Sequence, residues 1–544
     1  MHLIVLVMSL LGTVLASPAF VAEPIQPETS MVAMRDGIEL STDVYLPEGE
    51  PPWPTILART PYNKLGNRSA AERFCQHGYV FVSQDCRGRF ASQGDYDPFR
   101  TDHVDGYDTV EWVAAQPWSD GKVGMLGGSA LGITTNLAAT QVPPHLVCGF
   151  VIVASASARR NTVYMGGVYR KEMNDGWLQL QGAPEAIEAT MQHPAGDDHW
   201  DWREIPDFHD RIRIPIYNVG GWFDIFAQGT LDNFVGLQRR GAGLAAGNQK
   251  LLMGPYAHGK LEGRLEFPGS ESDAMGFDEQ LRWFDRWMKD TDNGIDREPP
   301  VRYYLMGDTQ DPEAPGNAWR DADAWPPPSR PASYFIHAER RLVRNTLPEK
   351  SGSISYRYDP GKPVPTVGGA NLILGGKGPK DQRRIKDRED YLRFHTDPLD
   401  APLEVVGRVT ADLYIQSDAP DTDFVAKLVD VYPDGYEALI LDSIIRTRYR
   451  DGLEREVMLE PEDVVRVTID LWSTALVFNK GHRIGLHVSS SNDPRFDPNS
   501  NTGHAQRADD QQQVATNTLH FSSEHPSRLL LPIVRQYGDG QQQP

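Results

Sequence analysis

The stretch Gly124-Met125-Leu126-Gly127-Gly128-Ser129-Ala130-Leu131-Gly132 decides how the chain is read. An apolar run over residues 122–126 predicts a buried strand, and the small-residue run 130–140 predicts a helix. A serine on a tight strand-to-helix turn is the setting of a nucleophile elbow, where a strained backbone lifts the hydroxyl into the open. Such a turn tolerates only small neighbours, and Gly127, Gly128, Ala130 and Gly132 meet that need. The second glycine stands three residues after the serine, where the usual spacing is two. By itself the motif therefore leaves open a glycine-rich turn that merely packs a helix on a strand.

Working outward, the N-terminal half alternates strand and helix signals. Short apolar runs at residues 38–46, 55–59, 79–84, 147–153, 214–219 and 251–253 predict strands. Residues 103–115 and 277–289 carry helical spacing. This rhythm predicts a mostly parallel sheet covered by helices on both faces, an α/β fold. Residues 154–212 break the rhythm with a helical, Trp-bearing pattern, and read as a cap inserted over the sheet edge. Beyond a Pro-rich junction at 326–331 the pattern becomes short alternating runs separated by turns, the signature of a β-sandwich or jelly roll. The expected units are residues 30–153 with 213–310, the cap 154–212, and the sandwich 320–540.

A serine hydroxyl is a poor nucleophile until a base, held by a carboxylate, takes its proton. On such a sheet the partners follow in the order acid, then histidine, each just past a strand. Two loops fit: Gly220-Gly221-Trp222-Phe223-Asp224 after the 214–219 strand, and Gly254-Pro255-Tyr256-Ala257-His258 after 251–253. Ser129, Asp224 and His258 are the candidate catalytic set.

Several collinear stretches carry a family resemblance: Arg59-Thr60-Pro61-Tyr62-Asn63-Lys64; Gln84-Asp85-Cys86-Arg87-Gly88-Arg89-Phe90-Ala91-Ser92-Gln93-Gly94; the elbow; the two loops above; Asp423-Phe424-Val425-Ala426-Lys427-Leu428-Val429-Asp430-Val431; and Ser489-Ser490-Ser491-Asn492. From about Met34 onward the chain resembles the cocaine esterase-type acyl hydrolases, relatives of X-Pro dipeptidyl peptidases and α-amino acid ester hydrolases. The resemblance implies an α/β-hydrolase domain with an inserted helical cap, followed by a C-terminal jelly roll. It also implies an oxyanion hole made of the Tyr62 hydroxyl and the backbone N–H of Ala130. The family usually has Tyr where this chain has Ala130; the backbone donor survives that change, and transfer of a named relative's substrate does not follow.

By the same resemblance Trp177, Phe226 and Leu372 are expected to bind substrate. Where the amino-acid ester hydrolase branch places carboxylates after the triad Asp, this chain has Phe226 and Ala227, which suit a neutral acyl or aryl group. Glu172 and Asp175 read as solvated cap charges, and Asp85 with Arg87 as an ion pair bracing loops.

The remaining features bound the answer. With 544 residues the chain can bury large cores without disulfide or metal staples. Lys+Arg 54 against Asp+Glu 75 gives a net charge of −21, which disfavours nucleic acid and strongly anionic partners. Residues 3–15 resemble a signal-peptide core, too short to span a bilayer, with Val14 and Ala16 suited to a cleavage site. Residues 1–22 are thus an expected signal peptide and the mature chain is expected to be exported and free of the membrane, although no Lys or Arg precedes the core; a membrane-tethered form or a misassigned start codon stays open. Cys75, Cys86 and Cys148 read as buried free thiols. No zinc spacing occurs, and Asp497, Asn499 and Asn501 read as an ordinary turn. The expectation is a cofactor-free, metal-free serine hydrolase of small esters or amides. An X-Pro dipeptidyl peptidase, an α-amino acid ester hydrolase or β-lactam acylase, a non-catalytic binding protein, and a homo-oligomer stay open.

Overall fold

The computed structural model describes residues 25–271, 276–508 and 511–537. The expected signal segment lies outside them. The chain enters through β1 (Glu28–Ala33), β2 (Glu39–Tyr45), β3 (Trp53–Thr60), α1 (Arg68–Cys75), β4 (Val80–Asp85), α2 (Asp102–Ala114), β5 (Ser119–Gly128), α3 (Ala130–Thr140) and β6 (Leu146–Ile152). After an excursion it resumes with β9 (Ile216–Phe223), β10 (Lys250–Ala257), β11 (Val301–Leu305) and β12 (Ala318–Ala322), and among the described residues one ten-stranded sheet runs in the order β1-β2-β4-β3-β5-β6-β9-β10-β11-β12. The excursion, between β6 and β9, holds the hairpin β7 (Tyr164–Met165) and β8 (Val168–Tyr169), then α4 (Lys171–Leu180) and α5 (Glu185–Met191). The strands β9 to β12, with α6 (Ala227–Arg240) after β9 and α7 (Phe277–Met288) after β10, complete the hydrolase part. The central pairs from β4 through β11 are parallel. Strands buried on both faces read as near-continuous apolar runs, which is why β3, β4 and β9 lack a period of two.

Glycines let helices close on this sheet. On β5 a Cβ at Gly124 would meet Met288 Sδ at 2.7 Å and the Phe284 ring at 2.8 Å, so α7 lies directly on the strand. That contact buries Trp283, Phe284 and Met288, each worth roughly 2–3 kcal/mol in apolar transfer. On the opposite side a Cβ at Gly106 of α2 would reach Ala138 of α3 at 2.6 Å.

The fold is an α/β-hydrolase unit with an inserted cap, followed by a C-terminal β-sandwich. The cap is less purely helical than its pattern suggests: besides α4 and α5 it holds the hairpin, a π-turn at Ala158–Val163 and two 3-10 turns. The sandwich is built on eleven hydrogen-bonded strands. Its longest pair, Leu403–Ser417 and Val465–Phe478, runs antiparallel from Leu403↔Phe478 to Ile415↔Val465.

The two parts are joined through backbone and charge. Met306, past β11, donates to Ala475 O at 3.0 Å and accepts from Val477 N at 2.9 Å. Buried His482 lies between Asp308 at 3.2 Å and Asp430 at 2.9 Å. The three cysteines are buried and free. Asn499 is no ordinary turn residue: its amide donates to Asp421 and Asp423 at 2.8 Å each, inside a buried network with Arg446 and Arg448.

Candidate active site

Ser129 stands between β5 and α3 with φ 55° and ψ −122°. A non-glycine residue held there stores on the order of 1–3 kcal/mol of strain. Its N–H donates to Ile152 O at 2.9 Å, and its carbonyl accepts from Ile133 N at 3.0 Å, which pins the turn from both sides. A Cβ at Gly127 would sit 2.2 Å from Leu131 C, and one at Gly132 would sit 2.7 Å from Ala154 Cβ. The close approaches therefore fall two residues before and three after the serine. That accounts for the unusual glycine spacing. Gly128 has nothing nearer than 3.9 Å.

The three sheet-edge residues meet. His258 Nε2 lies 3.0 Å from Ser129 Oγ, and His258 Nδ1 lies 2.7 Å from Asp224 Oδ2. Asp224 is only 1% exposed. Its other oxygen accepts the N–H of Phe226 at 2.7 Å, which fixes the carboxylate plane at the turn after β9. A Cβ at Gly221 would stand 2.4 Å from Tyr256 O, so glycine there lets the ends of β9 and β10 close together. Phe226 meets the His258 ring edge-on at 5.7 Å. The backbone carbonyl of His258 accepts Lys377 Nζ at 2.6 Å, a bond that arrives from the C-terminal part.

Tyr62 follows β3. Its N–H donates to Thr60 Oγ1 at 3.0 Å, Arg89 Nε donates to Pro61 O at 2.9 Å, and Lys64 N donates to Asp85 Oδ1 at 2.7 Å, so the loop is held on every side. The Tyr62 hydroxyl accepts Trp177 Nε1 at 3.0 Å and also faces the Ser129 side chain. An indole N–H only donates, so this bond leaves the phenol proton free to point elsewhere. Although Tyr62 is 40% exposed, desolvation of its hydroxyl under the cap raises its pKa, with the bonds from Trp177 and Ser129 acting the other way. The phenol stays protonated at neutral pH.

Asp85 and Arg87 do not pair with each other. Arg87 reaches Asp105 at 2.6 Å and Asp36 at 2.7 Å. Asp85 is buried, which pushes its carboxyl up to about 6 despite the N–H of Lys64. The sequence sets the two only two residues apart, but past the strand end each takes partners of its own.

Beside Ser129 opens a cavity of about 400 Å³, with Trp177, Phe226 and Leu372 in its wall together with Phe99, Ile133 and Met173. Phe99 stacks on Trp177 at 5.6 Å. No local pattern marks Phe99 or Ile133 as lining residues. Ile133 falls one turn after the serine, and that position alone carries the signal.

Glu172 and Asp175 are not solvated cap charges. The Glu172 carboxylate accepts the backbone N–H groups of Leu372, at 3.1 Å, and of Ile373 and Leu374. Asp175 accepts Tyr169 Oη and Arg507 at 3.0 Å each. Apart from Tyr169, six residues before Asp175, these partners lie far away in sequence, so no local pattern could show them. Among the described residues no group of three or more His, Cys, Asp or Glu side chains is placed to hold a metal ion, and no helix is long and apolar enough to cross a membrane.

Comparison with known proteins bears on the family. The family profile of the X-Pro dipeptidyl-peptidase (S15 family) matches residues 36–188 and 179–260, and that of the X-Pro dipeptidyl-peptidase C-terminal non-catalytic domain matches residues 293–530. Cocaine esterase from Rhodococcus sp. (strain MB1 Bresler) is 33% identical, over 93% of this chain and 98% of its own length. Among solved structures, an α-amino acid ester hydrolase superposes with a TM-score of 0.80 at 25% identity, covering 97% of this chain and all of the other. An aminopeptidase from the marine sediment archaeon Thaumarchaeota archaeon shares the fold, with a TM-score of 0.82 at 24% identity, over 96% of this chain and 99% of its own.

Proposed function

The chain belongs to the family of cocaine esterase and the S15 X-Pro dipeptidyl peptidases and is a serine carboxylic ester hydrolase; from that premise we propose that Ser129, His258 and Asp224 act as its triad, with Tyr62 and the Ala130 N–H as its oxyanion hole. The observation that carries this reading is the continuous chain of contacts from Ser129 Oγ through His258 to Asp224, at 3.0 and 2.7 Å.

Asp224 holds His258 in the tautomer with the proton on Nδ1, which leaves Nε2 basic toward Ser129. As Ser129 Oγ attacks the ester carbonyl, its proton passes to His258 Nε2. The carbonyl oxygen gains negative charge, and the phenol of Tyr62 and the Ala130 N–H stabilise it. Each such donor is worth roughly 3 kcal/mol of barrier. His258 then protonates the leaving alcohol, and the acyl group stays on Ser129. Water, deprotonated by His258, releases the acid and restores the serine.

The substrate class follows from the wall of the cavity. Trp177, Phe226 and Leu372 are apolar, Phe226 and Ala227 stand after Asp224 where the resembling amino-acid ester hydrolase branch places carboxylates, and the carboxylates that do line the cavity, Asp95, Asp97 and Glu185, are exposed. We therefore assign neutral acyl or aryl esters ahead of amino-terminal peptides. The test is Ser129→Ala: it should remove p-nitrophenyl ester turnover by about 10⁴-fold or more while the melting temperature stays close to that of the parent. A fluorophosphonate probe should label Ser129 and no other residue; turnover that survives the substitution sinks the assignment.

A further inference from the structure

Arg203 is 7% exposed and lines the cavity beside Ser129, together with a narrower cleft of about 20 Å³ shared with Phe99, Ile133 and Ala158. Its guanidinium donates to the His199 carbonyl and lies 5.2 Å from the Trp200 ring centroid. Its Nε is buried without a hydrogen-bond partner, and among the described residues no carboxylate comes within 4.0 Å of the guanidinium. Burial lowers its pKa to about 10, which still leaves a cation at neutral pH. Asp97 acts on the guanidinium from beyond ion-pair distance, and a buried charge held in no ion pair is costly.

Other buried arginines are provided for. Arg59 has Asp102 at 2.8 Å, and Arg446 has Asp423 at 2.9 Å. Arg170, which also lacks a carboxylate, donates to the carbonyls of Asn161, Thr162 and Ile225. Arg203 has only the one carbonyl. Two further groups of the same cavity wall, Tyr96 Oη and His199 Nε2, are likewise buried without partners. The residues that carry these three groups share one wall of the cavity, and the natural complement to a guanidinium is an oxygen acceptor.

We propose that Arg203 is a specificity-determining residue, and that the acyl portion of the substrate carries a second oxygen acceptor, an ester or amide carbonyl or a carboxylate, that docks on it. The proposal rests on the serine hydrolase reading above. It concerns the acyl side because the acyl group stays bonded to Ser129 while the alcohol departs, so the acyl group is the occupant held in the cavity through both steps. Exposed Asp95, Asp97 and Glu185 also face the cavity, and they resist an ionised acyl group more than a neutral one.

The experiment compares kcat/KM for three p-nitrophenyl esters of matched length: heptanoate, methyl adipate and hydrogen adipate. The wild-type protein should favour at least one adipate over the heptanoate by about 10-fold or more. The better adipate identifies the acceptor as neutral or ionised. In Arg203→Met that ratio should collapse toward one, and Arg203→Lys should keep part of it. A structural role would lower all three rates together and leave the ratio intact. Equal wild-type rates, or a ratio that survives Arg203→Met, overturns the proposal. The wild-type comparison needs no variant to fold. Hydrolysis of none of the three esters removes the hydrolase reading and the proposal with it.

Discussion

The carboxylate of Glu172 accepts the backbone N–H of Leu372 at 3.1 Å, although 200 residues separate them. Two more N–H groups, of Ile373 and Leu374, turn to the same carboxylate. A Cβ on Gly176, one turn along α4, would stand 2.6 Å from Ile373, so the helix and the loop touch closely. The same helix carries Trp177, which donates to Tyr62. One helix therefore holds the cavity wall on one side and the proposed oxyanion donor on the other.

Replacing Glu172 with Ala should release that loop. Hydrogen bonds to a charged group contribute about 1.5–3 kcal/mol each, less where water can substitute, so a net loss of about 2 kcal/mol is expected. The melting temperature should fall. The kcat/KM for a bulky acyl group that touches Leu372 should fall further than that for acetate. Equal losses for both esters count against a positioning role.

Tyr62→Phe should lower kcat by about 10²–10³ with little change in KM, because the phenol is asked to act only when charge develops on the carbonyl. Trp177→Phe removes the donor that orients the phenol and should cost about 10-fold. Steady-state kinetics on one aryl ester separate the two; a Tyr62→Phe effect confined to KM contradicts the oxyanion role.

The elbow gives a paired steric test. Gly127→Ala puts a methyl group 2.2 Å from the Leu131 backbone, and no flexible side chain is there to move aside. Soluble yield or activity should collapse. Gly128→Ala meets nothing nearer than 3.9 Å and should be far milder. Expression yield with ester turnover reads both.

His482 gives the pH dependence of the junction between the two parts. Burial pushes its pKa down, but hydrogen bonds to Asp308 and Asp430 outweigh that and hold it up at about 9. In the unfolded chain it is near about 6.5. The folded pKa is the higher one. Its contribution is therefore fully present below about pH 6.5 and is lost as pH rises to and through about 9. Melting temperature against pH should decline over that window, and His482→Gln should flatten the decline. An unchanged slope rejects the assignment.

Much of the fold was legible because strands and helices leave local traces. The run 122–126 and the small residues after Ser129 mark β5 and α3, and the strand ends before Asp224 and His258 mark the other two corners of the site. What escaped was set by partners distant in the chain. Glu172 and Asp175 look like surface charges on a helix until the loop at Leu372 and the side chain of Arg507 come into view. Arg87 shows the converse: nearness in sequence to Asp85 does not make a pair at a strand end. The glycine three residues after Ser129 departs from the usual spacing of two. The Gly132 contact with Ala154 gives it a steric reason.

The attachment of Leu372 to the wall near Ser129 has a consequence for how this catalyst is built and altered. Chain ending with the first sheet would still contain the hydroxyl, the imidazole and the carboxylate, but the chamber would lack a side. Lys377, which grips the His258 carbonyl, would be gone too. Exchange of the C-terminal sandwich between relatives would thus exchange one wall of the chamber, and alterations made there reach it without touching any member of the proposed triad.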